Sequence, residues 1–177
     1  LLKDAGWEKD SSGKLMKDGK QFKIMFSATK DNAVLEVLMP MMIDAYKKLG
    51  IDFQAEYVDF PTLMNKVTGG NFEMYFMAWG MNADPDDSYI YSTGGSQNRL
   101  SYSNPSLDKA YKDALASTDK DARKAAYQKV YQTINQDLPC YVVYQRSDMV
   151  AFNPRVKNFK SSSYVPFYHQ LQKYELQ

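Results

Sequence analysis

The residues in this chain best suited to chemistry form one short run, WGMNADPDD, at positions 79–87. Trp79 offers an aromatic ring for stacking, and Gly80 gives the backbone freedom to approach another molecule closely. Asn82 adds a side-chain amide that both donates and accepts hydrogen bonds. Three carboxylates that could meet a cation or hydroxyl groups complete the run: Asp84, Asp86 and Asp87. This combination is typical of a loop that binds a small ligand.

Structural roles for the same residues stay open. Asp86 or Asp87 could cap a short helical turn that follows the run, since aspartate is a favoured N-cap residue. Trp79 could simply fill a core. Calcium is a further alternative for the carboxylates, but the run lacks the alternating ligand spacing and the terminal Glu of an EF-hand loop.

Catalytic groups are sparse elsewhere. His169 is the single histidine and Cys140 the single cysteine, so neither a zinc site of several such ligands nor an intramolecular disulfide can form. We interpret Cys140 as an inert buried thiol and His169 as a surface or interface residue. Two glycine pairs lack the spacing and the following Lys-Ser/Thr of a P-loop: Gly69-Gly70 and Gly94-Gly95. An enzyme would have to rely on carboxylates alone.

Composition narrows the class of protein. The 177 residues carry a net charge of +1, which gives no electrostatic reason to expect nucleic acid as a partner. Hydrophobic residues make up 44% and charged residues 24%, as in globular domains, and the length suits one domain. The 14 Tyr, 9 Phe and 2 Trp suit a surface that grips organic ligands. Residues 1–7 read as the end of a helix capped by Gly6, so we expect an excised domain.

The N-terminal half predicts alternating strands and helices. Period-two apolar patterns predict strands at residues 22–26 and 51–57, and a continuous apolar run predicts a third strand, buried on both faces, at 72–79. Helices are predicted at 32–49, capped by Gly50, and at 61–68, closed by Gly69 and Gly70. Pro40 should kink the first helix or mark its true first turn. The fold class is therefore α/β, with a largely parallel sheet covered by helices on both faces.

The first helix should bury a stripe comprising Val34, Leu35, Leu38, Met41, Met42, Ala45, Tyr46 and Leu49. Before the first strand, residues 8–20 predict a hairpin-like loop. Ligands of open α/β sheets bind at the carboxyl ends of the strands, so the run after the third strand is the predicted site.

The C-terminal half predicts a long loop at 80–102, with a helical turn at 86–91, and then two helices. Asn104 and Thr118 are the predicted N-caps, and Pro139 ends the second helix. The buried face of the first comprises Leu107, Ala110, Tyr111, Ala114 and Leu115, and that of the second Ala122, Ala125, Ala126, Val130, Tyr131 and Ile134. A strand is predicted at 140–144, with 149–152 continuing it or pairing beside it.

Several segments resemble, in family order over nearly the whole chain, the C-terminal lobe of the family 5 extracellular solute-binding proteins of peptide and nickel ABC importers. They are LLKDAGW at 1–7, KKLGID at 47–52, GGNFEMYFMAWG at 69–80, DPDD at 84–87, YSNPSLDKAYKDA at 102–114, DLP at 137–139 and AFNPRVKNF at 151–159.

The resemblance implies a type II periplasmic-binding-protein-like fold, in which residues 1–177 form one of two lobes and 164–177 return toward the absent N-terminal lobe. It implies a substrate-binding component that captures a peptide or similar small solute between the lobes and hands it to permease subunits. Such a protein is not an enzyme, needs no cofactor or metal and binds no nucleic acid. It works outside the cytoplasm, in the periplasm or as a membrane-anchored lipoprotein. A carboxylate-dependent hydrolase and a non-catalytic interaction domain are the alternatives.

By the same resemblance, the ligand-binding residues are Trp79, Gly80, Met81, Asn82 and Asp84. Peptide binders of the family usually carry an aspartate where this chain has Asn82, and some carry an arginine where it has Phe76. Either Asp84 replaces the missing charge, or the ligand is not an ordinary peptide with a free amino group.

Overall fold

The computed structural model describes residues 1–81, 83–147, 149–160 and 167–177. The chain divides into two compact units. The first comprises Leu1–Trp79 with Arg99–Ser101, and the second comprises Gly80–Asn98 with Tyr102–Gln177. The expectation of a single lobe over residues 1–177 stays a prediction.

The first unit opens with a single helical turn that ends in a glycine cap. The Gly6 amide donates to the Lys3 carbonyl and the Trp7 amide to the Leu2 carbonyl, both at 2.9 Å. Gly6 has a φ of 84°, the left-handed conformation that this cap requires. The predicted helix end is confirmed as a turn.

An antiparallel meander follows, formed by β1 (Glu8–Lys9), β2 (Leu15–Lys17) and β3 (Lys20–Gln21). It occupies the segment for which the sequence predicts a hairpin-like loop.

The sheet at the centre of this unit is parallel. It contains β4 (Lys23–Thr29), β5 (Asp52–Val58) and β6 (Met74–Tyr75) in the order β5-β4-β6. The predicted first three strands and their parallel direction are confirmed. The third is shorter than predicted, and residues 72–79 are half-buried or exposed rather than buried on both faces. Among the described strands β6 pairs with β4 alone, so one of its edges lacks the cover that a central strand has.

Helix α1 (Ala33–Leu49) connects β4 to β5. Asn32 caps its start by accepting the amides of Val34 and Leu35, and Gly50 ends it with a φ of 86°. A side chain at Gly50 would collide with the carbonyl oxygen of Gly13, so close packing against the meander adds a second demand for glycine. Pro40 lies inside the helix, and the interpretation that it marks the first turn is wrong.

One face of the sheet packs against α1. The buried residues of this core are Phe26, Ala28, Leu35, Met39 and Phe53. The predicted helical stripe is too wide, because Met41 is 65% exposed, Leu49 is 46% exposed and Ala45 is exposed. The sheet covers only the side of α1 on which Leu35 and Met39 lie.

The opposite face of the sheet carries Ser27 and Glu56 and meets α2 (Phe60–Thr68), which Asp59 caps. Ser27 donates a hydrogen bond of 2.6 Å to Glu56, and Lys66 of α2 pairs with the same carboxylate. The hydrogen bond from Lys66, supported by that from Ser27, lowers the pKa of Glu56. Helices therefore contact both faces of the sheet, as the sequence predicts.

The second unit is built on α3 (Ser88–Tyr91), α4 (Pro105–Ala116) and α5 (Lys120–Asp137). Asn104 caps α4 as predicted, but Asp119 rather than Thr118 caps α5. The two long helices pack against each other. Their buried residues are Leu107, Ala110, Tyr111, Ala114, Tyr127 and Val130.

Two helix-face predictions in this unit need correction. Leu115 of α4 is 53% exposed rather than buried. On α5 the predicted stripe is displaced, because Ala122 and Ala125 are exposed, Tyr131 is 47% exposed and Tyr127 is buried instead. Alanines carry little apolar area, so their spacing alone positions a helix poorly.

The strand predicted at 140–144 does not form, and none of the described residues at 149–152 lies in one. Tyr141 is 80% exposed and Val142 is 71% exposed. An apolar run becomes a strand only when another backbone pairs with it, and no described strand does so here.

The chain ends with a two-stranded antiparallel ladder, β7 (Val156–Lys157) with β8 (Glu175–Leu176), and a 3₁₀ helix at Phe167–Lys173. Residues 164–166, the start of the predicted return segment, lie outside the described residues. In the described part of the chain, no helix combines the length and apolar character needed to cross a bilayer.

Candidate functional site

The run predicted to bind ligand starts at the end of the first unit. The indole nitrogen of Trp79 is buried, and no described residue accepts its hydrogen. Gly80 and Met81 begin the second unit, where Gly80 is exposed with open space beside its Cα and Met81 is 54% exposed. Asn82 lies outside the described residues. Of the five predicted ligand-binding residues, these are the four nearest the strand.

Asp84, the fifth, is fixed by an ion pair. One nitrogen of Arg123, Nη2, lies 3.1 Å from Oδ1 and 3.0 Å from Oδ2 of the carboxylate. Asp84 Oδ1 also accepts the amide of Asp86 at 3.0 Å. The Asp84 side chain remains 58% exposed, so part of the carboxylate still faces solvent.

The other two carboxylates differ sharply in environment. Asp86 is half-buried and accepts the Ser88 amide at 3.1 Å, a turn-stabilising contact. Asp87 is only 4% exposed and accepts the Tyr111 hydroxyl at 2.6 Å. It stands at the N-cap position of α3, but its side chain makes no capping hydrogen bond, so the interpretation of Asp87 as a cap is wrong. Burial raises the pKa of Asp87, and the hydrogen bond from Tyr111 opposes that rise.

Three side chains from α4 and α5 hold residues 84–87, which we call the acidic turn. Arg123 holds Asp84, the Tyr131 hydroxyl donates to the carbonyl of Pro85 at 3.2 Å, and Tyr111 holds Asp87. These partners lie 24 to 46 positions away from the residues they hold. The turn is not part of a strand pairing, and polar side chains that lie far away in the sequence hold it.

None of these three anchors is among the site residues predicted from the sequence. Tyr111 and Tyr131 belong to predicted buried helix faces, and a tyrosine in such a stripe signals that its hydroxyl needs a partner. Arg123 carried no comparable signal, because an arginine on an amphipathic helix usually faces solvent.

A shallow cavity of about 320 Å³ adjoins the acidic turn. Its lining is cationic and aromatic: Pro85, Lys120, Arg123, Lys124, Tyr127, Gln128 and Tyr131. The Arg123 guanidinium lies 5.6 Å from the centre of the Tyr127 ring, within cation–π range. The surface beside Asp84 thus carries three cations.

Metal and thiol chemistry find little support in the described residues. Among them no three His, Cys, Asp or Glu side chains are grouped to hold a metal ion. Cys140 is half-buried, and its burial raises the pKa of the thiol, which disfavours the reactive thiolate. His169 is exposed, with its ring centre 4.9 Å from that of Tyr168.

Comparison with known proteins identifies the family. The model of the bacterial extracellular solute-binding proteins, family 5 Middle, matches residues 1–101, more than half of the chain. The chain belongs to family 5 of the bacterial extracellular solute-binding proteins. The resemblance drawn from the sequence motifs is confirmed.

Relatives of this family 5 chain include the oligopeptide-binding protein AppA of Bacillus subtilis, which is 28% identical over 90% of the chain. The periplasmic oligopeptide-binding protein OppA of Haemophilus influenzae is 24% identical over 90%. The chain spans about a third of the length of these relatives, 31% and 28% respectively.

Solved structures confirm the fold. The structure of AppA from Bacillus subtilis in complex with a nonapeptide matches 99% of the family 5 chain and 36% of its own, with a TM-score of 0.83 and 26% identity. NikZ from Campylobacter jejuni in complex with Ni(L-His) matches 78% of the chain and 29% of its own, with a TM-score of 0.70 and 18% identity. The predicted type II periplasmic-binding-protein architecture is confirmed.

Proposed function

We propose that this chain is part of the substrate-binding component of an ABC importer, which captures a peptide or a similar small solute between two lobes. The observation that carries the proposal is the likeness, over 99% of the chain, to a relative solved with a bound nonapeptide. Because the chain spans about a third of such relatives, the ligand and partners of the whole protein are inferred from them.

Within this proposal, five residues contact the ligand: Trp79, Gly80, Met81, Asn82 and Asp84. Trp79 supplies a ring and a buried N–H that no described residue accepts. Gly80 and Met81 offer exposed backbone, and Asp84 offers a partly exposed carboxylate. Stacking on the ring of Trp79 holds the ligand, together with hydrogen bonds to neutral groups and to the Asp84 carboxylate, whose charge is paired.

The proposed partners are the N-terminal lobe of the same protein and the permease subunits of the importer. Closure of the two lobes buries the ligand, and contacts to both sides favour the closed state. The family comprises extracellular solute-binding proteins, so we propose that this protein acts outside the cytoplasm, in the periplasm or at a lipid-anchored position on the cell surface.

Native mass spectrometry of the protein at its natural length, as purified, tests this function. We expect a bound small peptide, which is released intact on denaturation. Release of an intact peptide would indicate that the protein binds its ligand without hydrolysing it. Peptide fragments that accumulate on incubation, and that disappear in Asp84→Asn, would indicate a hydrolase instead.

Trp79→Ala should lower the affinity for the retained peptide more than about tenfold, because the stacking surface of the indole ring and its N–H donor are both lost. Isothermal titration with the peptide identified by mass spectrometry measures the change. Trp7→Ala is the matched control, since Trp7 stacks on Phe22 at 4.5 Å outside the predicted site. Equal losses in both variants would remove Trp79 from the ligand site.

A further inference from the structure

We infer that Arg123 determines which ligands the acidic turn accepts, by compensating the charge of Asp84 so that this carboxylate receives neutral N–H donors rather than an ammonium group. The inference rests on the proposed function and deepens it. Arg123 acts through Asp84, so it is a positioning and specificity-determining residue.

The geometry of the pair leaves Asp84 usable as an acceptor. Arg123 approaches both carboxylate oxygens through a single nitrogen, at 3.1 and 3.0 Å, and does not enclose them. The Asp84 side chain is 58% exposed and that of Arg123 is 37% exposed. A carboxylate has about four acceptor positions, so about one remains for a ligand after the two Arg123 contacts and the Asp86 amide are counted.

Further contacts hold both partners in this arrangement. Arg123 lies over the ring of Tyr127, a residue only 5% exposed, and its backbone belongs to the first turn of α5. The chain directly after Asp84 is held as well, since the Tyr131 hydroxyl donates to the carbonyl of Pro85. Asp84 therefore meets a ligand with its charge already paired.

The surrounding charges favour the same selectivity. Lys120 and Lys124 line the same cavity as Arg123, and neither makes an ion pair among the described residues. The carboxylates that act on the two tyrosines of this cavity are Asp84, which is paired, Asp86, which accepts the Ser88 amide, and Asp87, which is buried. A ligand ammonium group would approach a surface with three cations and gain little from Asp84.

The test compares two probes on the protein at its natural length: a mixed nonapeptide library with free α-amino groups, and the same library after Nα-acetylation. We expect the affinities of the natural protein for the two libraries to differ by less than about threefold. Arg123→Gln should then favour the free-amino library by about fivefold, since an exposed unpaired carboxylate attracts an ammonium group with roughly that strength in water. If the role of Arg123 were purely structural, Arg123→Gln would lower the affinity for both libraries equally.

Three further variants make the result decisive. Lys124→Gln removes the same charge from the same cavity but not from the Asp84 ion pair, so it should change the preference much less than Arg123→Gln does. Arg123→Lys keeps the charge and should leave the preference unchanged. Asp84→Asn should shift the preference toward the acetylated library, because Arg123 is then uncompensated. Circular dichroism confirms that each variant is folded.

The outcomes separate the inference from the function on which it rests. Binding of neither library by the natural protein contradicts the proposed capture of peptides. Binding with a preference of more than about threefold for free amino groups, or a preference that Arg123→Gln leaves unchanged, overturns the inference alone.

Discussion

The parallel sheet of the first unit and the acidic turn of the second are held by different interactions. Strands β4 and β5 share a ladder of seven residue pairs, and the sheet buries Phe26 and Phe53 against α1. The acidic turn has no ladder, and it is held by side chains of α4 and α5 that lie far away in the sequence. The sheet is thus held by backbone pairing and apolar packing, whereas the turn is held by polar side chains of other elements.

The difference also has an energetic side. Burial of a large apolar side chain contributes about 1.5–3 kcal/mol, and many such residues act together in one core. A hydrogen bond contributes about 0.5–1.5 kcal/mol net, and the turn has few. A region fixed in this way tolerates sequence change and local opening more readily, as ligand-binding loops generally do.

The largest expected effect concerns the sheet core. Phe26→Ala should lower the free energy of unfolding by about 3–5 kcal/mol, because it leaves a cavity beneath α1 where Phe26 is only 3% exposed. Urea unfolding of the chain, followed by circular dichroism, measures the loss. Met25→Ala, on the neighbouring and 37% exposed side chain of the same strand, is the control and should cost far less. Similar losses in both variants would show that the strand, and not the core contact, sets stability here.

The sheet was predictable because its signals are local. Alternation at residues 22–26 and 51–57 reports which side chains face the core, and Asn32 and Gly50 mark the ends of α1 through contacts within a few residues. The prediction failed at residues 140–144, where strand-like composition meets no pairing partner among the described strands. Composition reports a preference for extended backbone, and pairing depends on where other strands lie.

The second expected effect concerns the contact that holds the acidic turn to α4. Asp87→Ala should lower the free energy of unfolding by about 1–3 kcal/mol, because the Tyr111 hydroxyl would be left buried without its 2.6 Å acceptor. Urea unfolding measures this loss as well. Asp86→Ala removes a carboxylate from the adjacent position that accepts only the Ser88 amide, and it should cost less. If Asp86→Ala costs as much, the Tyr111 contact does not anchor the turn.

The candidate site was predictable only in part. The run at 79–87 stood out because an indole, a glycine, an amide and three carboxylates follow a strand. Which carboxylate is exposed, paired or buried could not be read from it, since Arg123 and Tyr111 come to the turn from α5 and α4. Three aspartates within four positions therefore have three environments that their sequence does not distinguish.

The smallest expected effect concerns pH and separates the buried aspartate from an exposed one. Burial raises the pKa of Asp87 above its ordinary value of 3.8, so the protonated form is the one the fold favours. That stabilisation is complete below the ordinary pKa and is lost as the pH rises through the raised pKa. The stability of the natural chain relative to Asp87→Asn should therefore fall as the pH rises from below 3.8 toward neutrality.

Asp59, the N-cap of α2, provides the opposite case. Hydrogen bonds with Thr62 lower the pKa of Asp59, so its stabilisation is present above the ordinary pKa of 3.8 and is lost as the pH falls through the lowered value. The stability of the natural chain relative to Asp59→Asn should rise over the same pH range, and urea unfolding at a series of pH values measures both differences. Slopes of the same sign would mean that Asp87 is solvated when charged, and the acidic turn would then be open rather than clamped against α4.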